Sequence, residues 1–264
     1  MKRLLACLVA TVFVTPLAAQ RAEPLPKELE GVGIEERPGA QVPLDAVFFD
    51  EDGREVKLGE LLAGRPTILA LVYYRCPMLC GLVLQGLLSG LKELPATVGE
   101  GFGVVTISID PLETPTLAKL KKQTYLGEYG RPGAAAGWRF LTGTEKDIRA
   151  VADSVGFHYK WNEERGEYAH GAGIFVLTPQ GKVARTLYGV LFEPRTLKLA
   201  LSEAREGKTS FGEKIVLYCF HYDANEGRYV VAATRIMRAG GLVTALGLGS
   251  WLFVAWRRSK REGV

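Results

Sequence analysis

The sequence predicts an α/β fold, with a mixed sheet flanked by helices. Three patterns carry this prediction. An apolar run rich in strand formers, residues 67–74, stops at two cysteines and is followed by leucines at helical spacing. A second run, residues 102–110, is interpreted as a continuous apolar strand, as expected of a strand buried on both faces. A hairpin pattern and one more helix end the region, and this order is typical of a mixed sheet covered on both faces.

The first half of this region predicts two strands of a hairpin, a short helix, and a strand–helix unit. Asp52-Gly53 is a turn signal between two short runs of strand character. The predicted elements are a hairpin of residues 44–50 and 54–58, a helix at 58–63, the central strand at 66–74 and a helix at 78–94. The apolar positions of that last helix are Leu82, Leu84, Leu87, Leu88 and Leu91.

The second half predicts two capped helices, a hairpin and a final helix. Thr114 is the expected N-cap of the first helix, with Pro115 at its first position, and Thr144 is the expected N-cap of the second. The predicted elements are a strand at 102–110, a helix at 114–129, a loop at 130–137, a helix at 144–155, a hairpin of 172–178 and 182–188, and a helix at 194–206. The apolar stripe of the final helix is Leu197, Leu199, Ala200, Leu201 and Ala204. This order matches a thioredoxin-like domain over residues 42–207.

The two ends of the chain predict export and a membrane tether. Residues 1–20 have the charged start, apolar middle and small-residue end of a cleaved signal peptide, and the alternative is a transmembrane anchor, for which the apolar part is short. Residues 239–256 carry no charge and, at about 1.5 Å per residue, just span a hydrocarbon core of about 30 Å. The alternative is a buried soluble helix. The basic tail, residues 257–264, predicts a cytoplasmic C-terminus and an extracytoplasmic body.

Two connecting segments complete the predicted organisation. Residues 21–41, with several prolines and glutamates, are expected to be a linker, and residues 208–238 a membrane-proximal segment. The predicted location is therefore the cell membrane, with a single-pass C-terminal transmembrane helix. The functional domain is expected in the periplasm or on the outer face of the cell.

The formal charge of +4 comes from the ends of the chain. Lys2 and Arg3 contribute two positive charges and residues 257–264 a net three, which leaves −1 for residues 21–256. A nucleic-acid partner would need a basic surface, so we predict none. Without the signal, three of the four cysteines remain. In an oxidising compartment, a closely spaced cysteine pair indicates a redox couple or a metal site.

Cys76 and Cys80 lie where a strand is expected to meet a helix. A helix N-terminus carries partial positive charge and free N–H groups, which favour thiolate over thiol. Pro77 suits the first helical turn, because its missing N–H would be unpaired there. At positions i and i+4 the two sulfurs share one face of a continuous helix, so they can hold one metal ion or close a disulfide. A purely structural disulfide is disfavoured, because so short a loop constrains the unfolded chain little.

His170 is the third candidate ligand. In open α/β sheets, ligands bind off the carboxyl ends of the strands; Cys76 follows one such end and Asp110 the next. His170 lies just before the predicted strand 172–178, in a loop that faces the cysteine turn in thioredoxin-like folds. Two thiolates and one imidazole favour copper, especially Cu(I), over zinc. Asp110 either caps a turn or supports the ligands from behind.

Three motifs resemble the signatures of the Sco/SenC family. They are Tyr73-Tyr-Arg-Cys-Pro-Met-Leu-Cys80, Ser108-Ile-Asp-Pro-Leu-Glu-Thr-Pro115 and Tyr168-Ala-His-Gly-Ala-Gly-Ile-Phe-Val-Leu-Thr-Pro-Gln-Gly181. Their order and separation resemble the family as well. The resemblance implies a thioredoxin-like copper-binding protein that helps assemble the copper centre of cytochrome c oxidase, with Cys76, Cys80 and His170 as copper ligands.

The chain departs from this family pattern in two respects. Family members usually carry the membrane anchor at the N-terminus, whereas here a C-terminal span is predicted. The family commonly has Asp before the ligand histidine and Ser after it, whereas Ala169 and Gly171 stand here. The second departure affects what supports His170 rather than the ligand itself.

We therefore predict a membrane-tethered copper chaperone. Cys76 and Cys80 are expected to alternate between a copper-binding dithiol and a redox-active disulfide, so that thiol redox state gates metal loading. The expected partners are the copper-centre subunit of cytochrome c oxidase, and other copper chaperones or thiol reductases.

The alternative function is a thiol–disulfide oxidoreductase that reduces the cysteines of the target copper site. Thioredoxin-type catalysts have two residues between their cysteines rather than three, which argues against this as the sole function. A metal-free redox sensor would give His170 no task. The sequence leaves open delivery or reduction, the identity of the oxidase, the resting charge of the copper and the oligomeric state.

Cys219 and His221 form a second, hypothetical metal site. On a strand at 215–222 their side chains share one face. The alternative is an ordinary apolar strand with an unpaired thiol, since no third ligand is evident. His158, between two aromatic residues on an expected strand, is predicted to be structural.

Overall fold

A seven-stranded mixed sheet forms the centre of the structure, a computed structural model that describes residues 31–76, 79–209, 220–223, 228–231, 241, 244, 246–251, 256 and 257. The strands are β1 (Gly33–Ile34), β2 (Val47–Phe49), β3 (Glu55–Lys57), β4 (Thr67–Val72), β5 (Gly103–Ser108), β6 (Trp138–Gly143), β7 (Phe157–Asn162), β8 (Glu167–His170), β9 (Gly173–Leu177), β10 (Val183–Tyr188), β11 (Phe220–Asp223) and β12 (Arg228–Val231). The helices are α1 (Leu58–Leu62), α2 (Leu79–Glu93), α3 (Pro115–Tyr129), α4 (Ala134–Gly137), α5 (Glu145–Ser154) and α6 (Pro194–Arg205).

The strand order of the large sheet is β10-β9-β4-β5-β6-β2-β3. Neighbours β4, β5 and β6 run parallel, and the remaining pairs are antiparallel. Helix α3 packs against β6, and α6 packs against β9 and β10. The structure therefore has the predicted α/β architecture, a thioredoxin-like mixed sheet flanked by helices.

Strands β4 and β5 form the buried centre of the sheet and set the position of the cysteines. Every residue of both strands is buried, as predicted for strands covered on both faces. Their parallel register pairs Thr67 with Gly103 and Val72 with Ser108. The carboxyl ends of the two strands therefore meet at one edge of the sheet, where the chain continues into the cysteine turn and into the loop before α3.

Helix α2 lies close against the segment that leads into α6. A Cβ atom built at Gly86 would be 1.8 Å from the Val190 carbonyl oxygen, and one at Gly90 would be 2.4 Å from the Phe192 carbonyl oxygen. Only glycine permits this approach of backbone to backbone. The predicted apolar stripes are correct except at Leu82 of α2 and Leu199 of α6, which are 55% and 51% exposed.

A smaller, three-stranded antiparallel sheet has the order β1-β7-β8. In this sheet Tyr159 of β7 pairs with His170 of β8, and β1 pairs with the start of β7. Strand β1 and an isolated bridge from Gln41 to Lys182 belong to the stretch that the sequence predicts as a linker. The described part of that stretch therefore packs on the domain.

Two elements in residues 130–143 differ from the predictions. The predicted loop 130–137 contains the short helix α4, which its three consecutive alanines allow. Strand β6 follows it at once and was not predicted, because no turn signal separates it from the preceding alanines. Trp138 and Phe140 of β6 are fully buried, and the indole N–H of Trp138 donates to the Thr106 hydroxyl of β5 at 3.1 Å. Tertiary packing places this strand.

Several predictions concern residues outside the described part of the chain. The predicted signal peptide, Pro77 and Cys219 all lie there. Strands β11 and β12 form a two-stranded antiparallel hairpin in the predicted membrane-proximal segment. Among the residues that the structure describes, no helix has the length and apolarity needed to cross a membrane.

Candidate metal centre

The turn after β4 brings each cysteine sulfur to a backbone donor. The N–H of Cys80 donates to Cys76 Sγ at 3.3 Å, and the N–H of Tyr73 donates to Cys80 Sγ at 3.4 Å. Neither residue forms a disulfide; Cys80 is buried and Cys76 is partly exposed. Cys76 is not helical and Cys80 lies in α2, so the two residues do not share the continuous helix on which their spacing would place both sulfurs on one face.

A buried carboxylate fixes this turn from behind. Glu113, in the loop between β5 and α3, is 5% exposed and accepts from the N–H of Tyr74 and from the N–H of Arg75, both at 2.7 Å. The Ser108 hydroxyl donates to the same carboxylate at 2.6 Å. Burial raises the pKa of Glu113, and these three donors oppose that effect. Glu113 was not among the predicted site residues, although it lies within the second motif.

His170 approaches the cysteines from the last position of β8. Its Nδ1 atom is 2.8 Å from the Gly171 carbonyl oxygen, and its Nε2 atom is 2.9 Å from Cys80 Sγ. A carbonyl oxygen can only accept, so Nδ1 carries the proton. The lone pair of Nε2 therefore faces Cys80. The structure places His170 in a strand rather than in the predicted loop.

Aromatic rings and a close strand hold His170 in place. The imidazole lies edge-on to the ring of Tyr73 at 6.0 Å and tilted to that of Phe157 at 5.8 Å, between centroids. A Cβ atom built at Gly171 would be 2.9 Å from Cγ1 of Ile34 in β1. A larger residue at position 171 would therefore require the Ile34 side chain to shift.

The three predicted ligands converge. One sulfur of each cysteine and one nitrogen of His170 all lie within 4.8 Å of one another. Soft thiolate sulfur together with imidazole nitrogen is a ligand set that suits Cu(I). The nitrogen that faces the sulfurs is the unprotonated one, which metal coordination requires. The donor set and its geometry therefore fit copper.

The protonation of Cys80 follows from its surroundings. Burial raises the pKa of the Cys80 thiol, and the neighbouring Cys76 raises it further. The backbone N–H of Tyr73 opposes these effects. Without a metal, Cys80 therefore remains a thiol whose S–H can donate to the free lone pair of His170. A metal ion that replaced this proton would restore the charge balance of a buried thiolate.

The sequence model of the SCO1/SenC family matches residues 36–202, more than half of the chain. The chain belongs to the SCO1/SenC family. A structure of an Aquifex aeolicus VF5 protein, provisionally named an electron transfer protein, is 29% identical, with a TM-score of 0.57, over 66% of this chain and 98% of that one. Copper-bound ScoI of Arabidopsis thaliana shares the fold, at 24% identity and a TM-score of 0.50, over 63% of this chain and 99% of that one.

The name of one curated relative of this SCO1/SenC protein refers to copper binding. It is a Stutzerimonas stutzeri protein provisionally named a copper-binding protein, 29% identical over 128 residues. The match covers 47% of this chain and 58% of that protein, so the chain spans little more than half of the relative's length.

Asp110 and His158, two further candidate residues, make contacts of their own. A carboxylate oxygen of Asp110 accepts from the N–H of Leu112 at 2.9 Å, which is the turn-capping role. His158 Nε2 is 3.5 Å from a carboxylate oxygen of Glu35, in a contact between β7 and the segment after β1. The described part of the second hypothetical site is the backbone of His221 in β11.

Proposed function

We propose that this SCO1/SenC protein is a copper chaperone that binds one copper ion through Cys76, Cys80 and His170. One observation carries the proposal: Nε2 of His170, with its lone pair free, faces Cys80 Sγ at 2.9 Å. A buried, correctly oriented imidazole next to a dithiol has a task in metal binding and none in a structural thiol pair.

The dithiol also supplies a gate for copper loading. Binding requires both sulfurs as thiolates, so oxidation of Cys76 and Cys80 to a disulfide would release the metal and block reloading. Cys76 is the more exposed of the two sulfurs, which suits it as the point where copper enters and leaves.

The proposed setting is the outer side of the cell membrane. The signal-like residues 1–20 and the uncharged stretch 239–256 support an exported domain on a C-terminal tether. Membership of the SCO1/SenC family supports the copper-centre subunit of cytochrome c oxidase as the recipient. The net charge of −1 for residues 21–256 gives no support to a nucleic-acid partner.

A second candidate function follows from the unequal exposure of the two thiols. As a thiol–disulfide oxidoreductase, Cys76 would attack a disulfide of the partner as thiolate, forming a mixed disulfide and releasing one partner thiol. Cys80 would then displace the second partner thiol and close the Cys76–Cys80 disulfide, so that two electrons and two protons pass to the partner. The buried position of Cys80 suits this resolving role.

A Cu(I) titration of the reduced full-length chain against a competing chelator distinguishes the two functions. The chaperone predicts one tightly bound copper, weakened at least tenfold by each of Cys76→Ser, Cys80→Ser and His170→Ala. The matched control is His158→Ala, a partly exposed histidine outside the centre, which should leave the affinity unchanged. Copper binding indifferent to His170→Ala, together with rapid disulfide exchange with a partner peptide, would favour the oxidoreductase instead.

A further inference from the structure

We propose that Glu113 is the positioning residue that holds the cysteine turn in its copper-binding, dithiol geometry. The copper part of this inference rests on the proposed function, whereas its redox part needs no metal. The proposal assigns a role to a buried carboxylate that touches neither sulfur and that acts through the backbone between β4 and Cys76.

The carboxylate of Glu113 joins the ends of the two central strands. One oxygen accepts from the N–H of Tyr74 and from the Ser108 hydroxyl, and the other accepts from the N–H of Arg75. Tyr74 and Arg75 lie between β4 and Cys76, and Ser108 is the last residue of β5. Both oxygens are thus used, at distances of 2.6 to 2.7 Å, typical of charge-assisted hydrogen bonds.

These bonds restrict the peptide groups that aim the first thiol. The N–H of Cys76 donates to the Tyr73 carbonyl oxygen at 3.2 Å, which closes the turn around the two residues that Glu113 holds. The N–H of Tyr73 in turn donates to Cys80 Sγ. Any rotation of the backbone at Tyr74 and Arg75 would therefore move both sulfurs relative to His170.

The charge of Glu113 acts in the opposite direction to its hydrogen bonds. A buried negative charge near the thiols disfavours their thiolate forms, and so disfavours copper binding. The hydrogen bonds favour binding, because they hold the sulfurs in place before the metal arrives. Replacement by glutamine removes the charge, and a carboxamide offers only one acceptor oxygen where Glu113 uses two. The sign of the change in copper affinity therefore tells which effect is larger.

The same bonds bear on the dithiol–disulfide equilibrium. The structure holds these bonds with both cysteines as thiols, and closing a disulfide requires the turn to adjust so that the sulfurs approach to bonding distance. Glu113 resists that adjustment, so it stabilises the dithiol. We expect Glu113→Gln to shift the equilibrium about tenfold toward the disulfide, which is about 30 mV toward negative potential for this two-electron couple.

The test compares Glu113→Gln with Asp50→Asn in the full-length chain. Asp50 is a second buried carboxylate that accepts from two backbone N–H groups, those of Asp52 and Arg54, in the β2–β3 turn. Three measurements are made: Cu(I) affinity by chelator competition, the midpoint potential in a redox buffer of reduced and oxidised dithiothreitol, and unfolding by urea. Oxidised dithiothreitol takes up the two electrons and two protons that the cysteine pair loses.

The expected result separates positioning from folding. Glu113→Gln should lower Cu(I) affinity at least tenfold and shift the midpoint potential by about 30 mV, whereas Asp50→Asn should lower stability with neither effect. The proposal would be overturned if Glu113→Gln had the Cu(I) affinity and the midpoint potential of the wild type. A higher Cu(I) affinity would overturn it as well, because it would show that Glu113 acts through its negative charge and not through positioning. If the wild type binds no Cu(I), the proposed function fails while the potential still tests Glu113.

A milder variant keeps the proposal testable if Glu113→Gln does not fold. Ser108→Ala removes only the hydroxyl donor to the carboxylate. It should shift the midpoint potential in the same direction by a smaller amount. A midpoint potential unchanged in Ser108→Ala, in a chain where Glu113→Gln is unfolded, would mean that the carboxylate serves folding alone.

Discussion

The imidazole of His170 is prepared for metal binding by a single carbonyl oxygen. That of Gly171 accepts from Nδ1, which fixes the tautomer and leaves Nε2 free at 2.9 Å from Cys80 Sγ. In many metal sites a carbonyl or carboxylate plays this orienting part for a histidine ligand. Here the orienting group belongs to the next residue in the chain, so no second-motif side chain is needed for it.

The buried thiol of Cys80 predicts a loss of stability in mild alkali. Its pKa is raised in the folded protein, so above the unfolded value of about 8.5 the unfolded chain binds fewer protons than the folded one. The contribution is fully present below that value and is lost as pH rises toward the folded pKa. We expect the unfolding free energy of the reduced, metal-free protein to fall by about 1.4 kcal/mol per pH unit between about pH 9 and 10.

The matched control for this slope is Cys80→Ser, measured by urea unfolding at several pH values in reducing buffer. The serine hydroxyl does not titrate in this range, so the variant should lose most of the slope below about pH 10, where tyrosines begin to titrate. An equal slope in both proteins would show that Cys80 is not the group responsible.

The convergence of the three candidate side chains was predictable, whereas the residue behind them was not. Cys76 and Cys80 stand out by spacing, and His170 by its place in a motif. Glu113 contacts the backbone N–H groups of Tyr74 and Arg75, nearly forty positions earlier in the chain. No local sequence pattern predicts a contact between residues so far apart. The prediction for Leu82 was wrong: its helical spacing suggested a buried position in α2, but its side chain is exposed.

At the scale of elements, the close packing of α2 against the segment at Val190 depends on Gly86. A methyl group at Gly86 would overlap the Val190 carbonyl oxygen, so Gly86→Ala should push α2 away from the 190–192 segment. The cost should be about 1–3 kcal/mol or more, well above the gain of about 0.5–1 kcal/mol from helix propensity. Because α2 carries Cys80, Cu(I) affinity should fall as well. Urea unfolding and chelator competition measure the two effects.

Gly127 in α3 is the matched control for this change. It is exposed, and a Cβ atom there meets nothing within 4 Å. Gly127→Ala should therefore stabilise the protein by about 0.5–1 kcal/mol and leave copper binding unchanged. A Gly86→Ala protein as stable as the Gly127→Ala protein would contradict the close packing of α2.

Long elements with a clear period were predicted well, and short elements placed by packing were not. Helices α3 and α5 begin at the predicted caps, because the Thr114 and Thr144 side chains accept from backbone N–H groups within their own first turns. Strands β1 and β8 have two and four residues, too few to show a period. Strand β6 has six residues, and its partners β5 and β2 both lie much earlier in the chain.

For the whole molecule, copper binding should appear as added stability. A ligand that binds only the folded state raises the unfolding free energy by about 2.7 kcal/mol at one hundred times its dissociation constant. We expect that increase for the reduced wild type and for His158→Ala in buffered Cu(I), measured by urea unfolding. At the same free Cu(I), His170→Ala should gain much less, because it lacks the third ligand. An equal increase in unfolding free energy in His170→Ala and the wild type would show that copper binds at a site without His170.

The centre lies where the two sheets meet. The dithiol follows β4 of the large sheet, whereas His170 ends β8 of the small one, and ninety positions separate Cys80 from His170. During synthesis, the chain therefore contains Cys76 and Cys80 long before it contains His170. Such an incomplete chain would bind copper weakly, because it lacks the imidazole nitrogen. Under the proposed function, tight copper binding would therefore require that both sheets have formed.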